Sequence, residues 1–224
     1  MNTSFHSQLY QQYARIGKAV SNDHRIALLD FLAQSERSVE ELTRLSGLSV
    51  ANTSQHLQIL RQAGLVKSRK AGQHVIYRLS DDEGVLRLLE DLRTLAERHL
   101  EATRELVQSH AGDADMLVTL NAQELLTRAR AGEVVVLDVR PRCEYETAHL
   151  PGAVNIPLEE LENRFSELPA DRAVVAYCRG RYCYLAHEAV ARLRRRGYNA
   201  GRLPDGLPEW KLAGLPVEQR SSAA

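Results

Sequence analysis

An uninterrupted apolar strand, Ala173 to Tyr177, runs directly into Cys178. A loop containing Gly180 follows, and then a helix with apolar positions at Ala186, Ala189, Val190 and Leu193. A strand without polar alternation is buried on both faces, so it belongs to a parallel sheet covered by helices on both sides. Val134 to Val139, apolar except for Asp138, is a second such run. Ligands of these sheets bind outside the carboxyl ends of the strands, where Cys178 stands. A cysteine at a strand-to-helix turn meets converging backbone N–H groups and a helix dipole that favours an anion. That setting is expected to lower the Cys178 pKa and produce a thiolate.

The chain has 224 residues, enough for two ordinary domains. Helical periodicity dominates the first half, and strands and helices alternate after it. The expected organisation is a mainly α unit over 1–110, a small polar linker over 111–116, an α/β unit with a parallel sheet over 117–218, and a tail over 219–224.

In the first half, Ile26, Leu28, Leu29, Phe31 and Leu32 give an apolar helix face after candidate caps at Ser21 to Asp23. Ser38 and Glu41 form a capping-box pattern opening a helix that stops at Gly47. Ser49 caps the next helix, which carries Leu57, Ile59 and Leu60 and closes at Gly64. Two short helices joined through Gly47-Leu48 read as a helix-turn-helix. The second helix begins with short polar side chains suited to base edges in the major groove: Asn52, Thr53, Ser54, Gln55 and His56, behind Ser49. Alternating runs around Gly72 predict a hairpin, with Lys67, Arg69, Lys70 and Gln73 available to phosphates or the minor groove. From Leu42 to Ser80 the chain has no Asp or Glu, which favours a polyanionic partner although formal net charge is zero. A long amphipathic helix is expected from Asp81 to about Ser109, pairing with a second copy of the chain, with help from residues 5–20.

Residues 10–105 resemble an ArsR-type winged helix-turn-helix regulator. The resemblance rests on Glu41-Leu42, Leu48-Ser49, Ser54-Gln55-His56-Leu57, Leu60, Ala63-Gly64-Leu65-Val66, Arg69, Gly72 and Tyr77-Arg78-Leu79. It implies a homodimeric repressor on an imperfect palindrome of double-stranded promoter DNA. The metal sites common in that family are not reproduced. The segment Glu41-Leu42-Thr43-Arg44-Leu45 has no cysteine, and the positions aligned with the family's last-helix site are Asp81, Glu83, Thr94 and Glu97. Glu97, His99, His110 and Asp113 have that site's spacing but stand out of register. No metal and no cofactor is expected.

The second half resembles a rhodanese (sulfurtransferase) domain. The carrying motifs are Leu137-Asp138-Val139-Arg140-Pro141, Glu144-Tyr145, His149 to Pro157, Tyr177-Cys178-Arg179-Gly180 and Trp210 to Pro216. Helices are expected over Asn121 to Ala131, Leu158 to Phe165 and Ala186 to Arg196, with Tyr198 to Leu203 returning to the sheet. The resemblance implies that Cys178 attacks the outer sulfur of thiosulfate or another sulfane donor and passes on the resulting persulfide. It makes Arg179, Gly180, Arg181, Tyr182 and Cys183 the active-site loop, whose amides cradle the sulfur and whose arginines attract an anionic donor. Asp138, Arg140 and His149 are read as structural. The last loop position, often arginine in single-domain rhodaneses, is Cys183 here. It either bridges to Cys178, directly or through extra sulfur, or packs as a small residue under the loop. Cys143 is read as an ordinary loop cysteine.

Three cysteines make no disulfide framework. With no apolar run of membrane-spanning length, this predicts a cytoplasmic chain with no membrane partner. The combined expectation is a DNA-binding regulator that responds to sulfane sulfur, from thiosulfate or a low-molecular-weight persulfide, through Cys178. The alternatives are a sulfurtransferase with an accessory DNA-binding half, and a metal- or metalloid-responsive repressor.

Overall fold

The computed structural model describes residues 3–110 and 121–219, which form two compact units, Met1–Glu90 and Asp91–Ala224. The linker expected over 111–116 and most of the tail lie outside the described residues.

The first unit opens with α1 (Thr3–Val20) and α2 (Asp23–Gln34). Of the candidate caps before α2, Asn22 is the one used: its side chain accepts from the Arg25 N–H. Leu28, Leu29 and Leu32 turn into the core. Ile26 stays largely outside. A two-residue strand β1 (Arg37–Ser38) leads into α3 (Val39–Ser46). The capping box forms: Ser38 accepts from the Glu41 N–H at 3.2 Å, and the Glu41 carboxylate accepts from the Ser38 N–H at 2.8 Å. These bonds satisfy two donors that a helix start leaves without partners. Gly47 ends α3 in the left-handed region at φ 69°, which costs glycine little because it has no Cβ. Next come α4 (Val50–Gln62) and a hairpin of β2 (Val66–Ala71) and β3 (His74–Leu79), in register from Val66 opposite Leu79 to Ala71 opposite His74. β1 adds antiparallel to β3, a third strand that the sequence pattern does not reveal because it is only two residues long.

The long helix expected from residue 81 is two helices, α5 (Asp82–His99) and α6 (Glu101–His110). At the break, the Arg104 guanidinium donates to the Arg98 carbonyl at 2.8 Å and so satisfies an acceptor that a continuous helix would use internally. From Asp91 onward α5 belongs to the second unit.

In that unit a parallel sheet forms in the order β5 (Val154–Asn155), β4 (Val134–Asp138), β6 (Ala173–Tyr177) and β7 (Ala200–Arg202). Alternation along the strands divides the core. Leu137, Val174 and Ala176 pack with the inner face of α9 (Tyr184–Arg195). Val134, Val136, Val175 and Tyr177 pack with α7 (Ala122–Arg130) and α10 (Leu207–Leu212). Between β4 and β5 lies α8 (Arg142–Thr147).

The helix expected over Leu158 to Phe165 is replaced by two short 3-10 turns, Leu161–Asn163 and Phe165–Glu167. The Tyr198 hydroxyl donates to the Phe165 carbonyl at 2.7 Å, and Leu161 is fully buried, so tertiary anchoring overrides local helical preference. At the chain's far end, His149 and Glu218 exchange both backbone hydrogen bonds at 2.8 Å.

Candidate functional site

Two groups of residues have candidate chemistry, one in each unit. In the first unit, Ser49 caps α4 by accepting from the Asn52 N–H at 3.2 Å. Asn52 and Gln55 are exposed, and Ser54 is half-buried. Thr53 does not fit the expected reading surface. Its side chain is 0% exposed and its hydroxyl donates to the Ser49 carbonyl at 3.0 Å. One residue's rotation around a helix is about 100°, enough to turn Thr53 inward while its neighbours face out. His56 is half-buried, with its ring 5.7 Å from that of His24. Burial, and then the nearby Arg25 charge, lower its pKa. Lys67, Arg69, Lys70 and Gln73 are exposed on the hairpin, with Arg69 paired to Glu36.

In the second unit, the parity of β6 aims Cys178 at the α9 side, in the same cluster as Val174 and Ala176, with 2% of its surface exposed. The loop then turns through a Cys183 N–H bond to the Gly180 carbonyl at 3.1 Å, and Cys183 becomes the N-cap position of α9. The Cys178 thiol donates to the Cys183 carbonyl oxygen at 3.4 Å, and the two thiols influence each other's ionisation. Backbone hydrogen bonding at Ala186 and Gly180 favours the charged form of Cys178, and that at Arg179 and Leu185 favours the charged form of Cys183.

The surroundings push the two thiols in opposite directions. Hydrogen bonding from Cys178 outweighs burial and, with the loop amides, draws Cys183 down to about 6. Desolvation, followed by the hydrogen bond and charge of Cys183, pushes Cys178 well above an ordinary thiol. The lowered pKa expected for Cys178 belongs to its neighbour, because Cys178 is the more deeply buried of the two.

Both loop arginines are committed to carboxylates. Arg179 forms a two-pronged pair with Glu144 at 2.8–3.1 Å, and Glu144 is only 1% exposed. Arg181 pairs with Asp205 at 2.9 Å. The expectation that they act as open cations for an anionic donor is thus corrected: each already has a carboxylate partner, although the Arg179 charge, with the loop backbone, still helps to lower the Cys183 pKa.

Gly206 explains how the loop is braced. A Cβ there would stand 2.3 Å from the Gly180 nitrogen, so the two backbones touch. Glu209 accepts from the Gly206 N–H at 2.9 Å and from Arg93 at 2.6 Å, and the Tyr182 hydroxyl donates to Glu97 at 2.7 Å. Sequence reasoning left Asp205, Gly206 and Glu209 unassigned, and Glu144 appeared only as a motif residue. An Asp-Gly pair signals a turn but not what that turn leans on.

Asp138 and Arg140 are both 0% exposed and paired at 2.6 Å, with Arg140 also donating to the Ala148 carbonyl at 2.8 Å. His149 stacks on Tyr145 at 3.8 Å. These contacts tie the end of β4 to the loop after α8. Cys143 is exposed. Among the described residues, no group of three or more His, Cys, Asp and Glu side chains is placed to hold a metal. Asp113, part of the out-of-register spacing, lies outside them. No described helix is long and apolar enough to cross a membrane.

Comparison with known proteins matches residues 22–68 to the bacterial regulatory protein arsR family and residues 121–213 to the rhodanese-like domain. The HTH-type transcriptional regulator Rv0324 of Mycobacterium tuberculosis is 43% identical over 94% of this chain and 92% of its own length. A sulfurtransferase of Allochromatium vinosum is 33% identical over 46% of this chain and 95% of its own. Among solved structures, a homodimeric winged helix-turn-helix DNA-binding domain from Mycobacterium bovis is 37% identical, with a TM-score of 0.41, over 46% of this chain and 92% of that one. On the near full-length match, the chain belongs to the family of HTH-type transcriptional regulators that join an ArsR-type DNA-binding half to a rhodanese-like half.

Proposed function

We propose that this regulator is a homodimeric, cytoplasmic repressor whose affinity for promoter DNA is set by sulfane sulfur taken up at Cys178. The observation that carries the reading is the placement of Cys178 at the end of β6, its thiol bonded to the carbonyl of Cys183 at the N-cap of α9. Cys178 gives up its proton to the neighbouring Cys183 and attacks the outer sulfur of thiosulfate or a small persulfide. The sulfite or thiolate leaves, and the terminal sulfur on Cys178 carries the charge that the amides stabilise. In the DNA-binding half, Asn52, Ser54 and Gln55 read base edges. Lys67, Arg69 and Lys70 meet phosphate, and Gln73 lies beside them on the wing. Exposed Phe5, Tyr10 and Tyr13 on α1 support a second copy as the covering partner.

The test is fluorescence anisotropy on DNA upstream of the chain's own gene, at fixed salt, comparing reduced protein with protein treated with glutathione persulfide. A tenfold or larger affinity change that disappears in Cys178→Ser supports the reading. Superimposable curves, with persulfide on Cys178 verified by mass spectrometry, refute it. The likeness to a curated sulfurtransferase favours a second reading, turnover first and DNA placement second. Steady sulfur transfer to an added thiol without any change in DNA affinity would select that one.

A further inference from the structure

The structure assigns Cys183 the role of a resolving nucleophile that converts a Cys178 persulfide into a Cys178–Cys183 disulfide and releases hydrosulfide. This inference rests on the proposed uptake of sulfur at Cys178 and specifies how the signal is stored. The Cys178 thiol bonds to the Cys183 carbonyl oxygen at 3.4 Å across one loop, and both thiols are free. Both also face the same apolar cluster, which limits competition from water and outside thiols.

Each step balances. In the resting pair one sulfur is a thiol and the other a thiolate. Cys178 transfers its proton to Cys183 and attacks the outer sulfur of the donor R–S–SH, whose R–S⁻ departs, leaving Cys178–S–S⁻ after the donor's own proton is released to solvent. The Cys183 proton then passes to the terminal persulfide sulfur. The Cys183 thiolate attacks Cys178 Sγ, the Sγ–S bond breaks, and HS⁻ carries away the electron pair. The dithiol is oxidised by two electrons and the sulfane sulfur is reduced to sulfide, so no further oxidant is required.

Reactivity agrees with this assignment. The amides of Arg179 and Leu185 hold charge on Cys183, so it is ready as a thiolate near neutral pH. A disulfide removes that negative charge from under the start of α9, whereas a persulfide keeps it. The two products therefore leave the loop in different electrostatic states, and the end state is neutral.

The experiment treats full-length protein, with Cys143→Ser as background, with one equivalent of glutathione persulfide without oxygen. It follows intact mass and released sulfide. The expected result is a loss of about 2 Da with close to one sulfide released per chain, against a gain of about 32 Da at Cys178 and little sulfide in Cys183→Ser and Cys183→Ala. Stable persulfide on Cys178 in the parent, without sulfide release, overturns the resolving role but spares sulfur uptake. No mass change in any variant overturns both. Reduction of the parent product by a phosphine must restore the starting mass, since sulfinic or sulfonic oxidation would not reverse.

Discussion

Glu144 on α8 grips the Arg179 guanidinium with both carboxylate oxygens, next to the buried Cys178. The carboxylate is almost wholly buried, so each partner needs the other. Removing one member of such a pair leaves an uncompensated charge, which costs more than forming the pair gains. Glu144→Ala is expected to destabilise the second unit by about 2–4 kcal/mol. A lower urea midpoint, at unchanged slope, checks this. An unchanged midpoint would mean that Arg179 finds solvent or another carboxylate.

Gly206 has φ −109°, a conformation open to any residue, so its importance is steric. Gly206→Ala would force a methyl against the Gly180 backbone. The expected cost is about 1–3 kcal/mol of overpacking, together with slower sulfur uptake at Cys178 as the loop is displaced. Persulfide formation timed by quenched mass spectrometry reads the second effect directly. Equal rates would show that the loop tolerates the shift.

The pH dependence of thiol modification follows from the shared charge. Below about 6 both cysteines are protonated and alkylation is slow. Above that value Cys183 becomes the thiolate, while Cys178, held up by burial, keeps its proton well past neutrality. Iodoacetamide labelling of Cys183 should therefore rise through a midpoint near 6. In Cys178→Ala, which lacks the hydrogen-bond donor, the midpoint should move toward the ordinary thiol value of about 8.5. A parent midpoint already at the ordinary value would remove the charge from this pair.

On the DNA side, Asn52→Ala or Gln55→Ala is expected to cost about 1–3 kcal/mol of discrimination on the specific site. Lys70→Ala should instead weaken binding to all sequences and reduce the salt slope by about one. Thr53→Val should lower stability through the lost hydroxyl bond to Ser49 while sparing sequence preference, because that side chain is buried. Anisotropy titrations over several salt concentrations, on specific and scrambled DNA, separate the three. A selective loss of specific binding in Thr53→Val would overturn its buried assignment.

The sequence by itself determined the parts governed by short-range rules. Apolar runs, Val134 to Leu137 in β4 and Ala173 to Tyr177 in β6, required a sheet covered on both faces. The Ser38–Glu41 box and Gly47 set the limits of α3, and the position of Cys178 followed from where β6 had to end. Each of these depends on neighbours within a few residues, through backbone geometry and capping. Tertiary structure alone decided the rest. It turned Thr53 inward, tied Arg179 to Glu144, leaned Gly180 on Gly206, and broke the long helix at Leu100. It also raised the Cys178 pKa and lowered that of Cys183, because depth of burial and backbone hydrogen bonding are set by segments that meet only when the chain is folded.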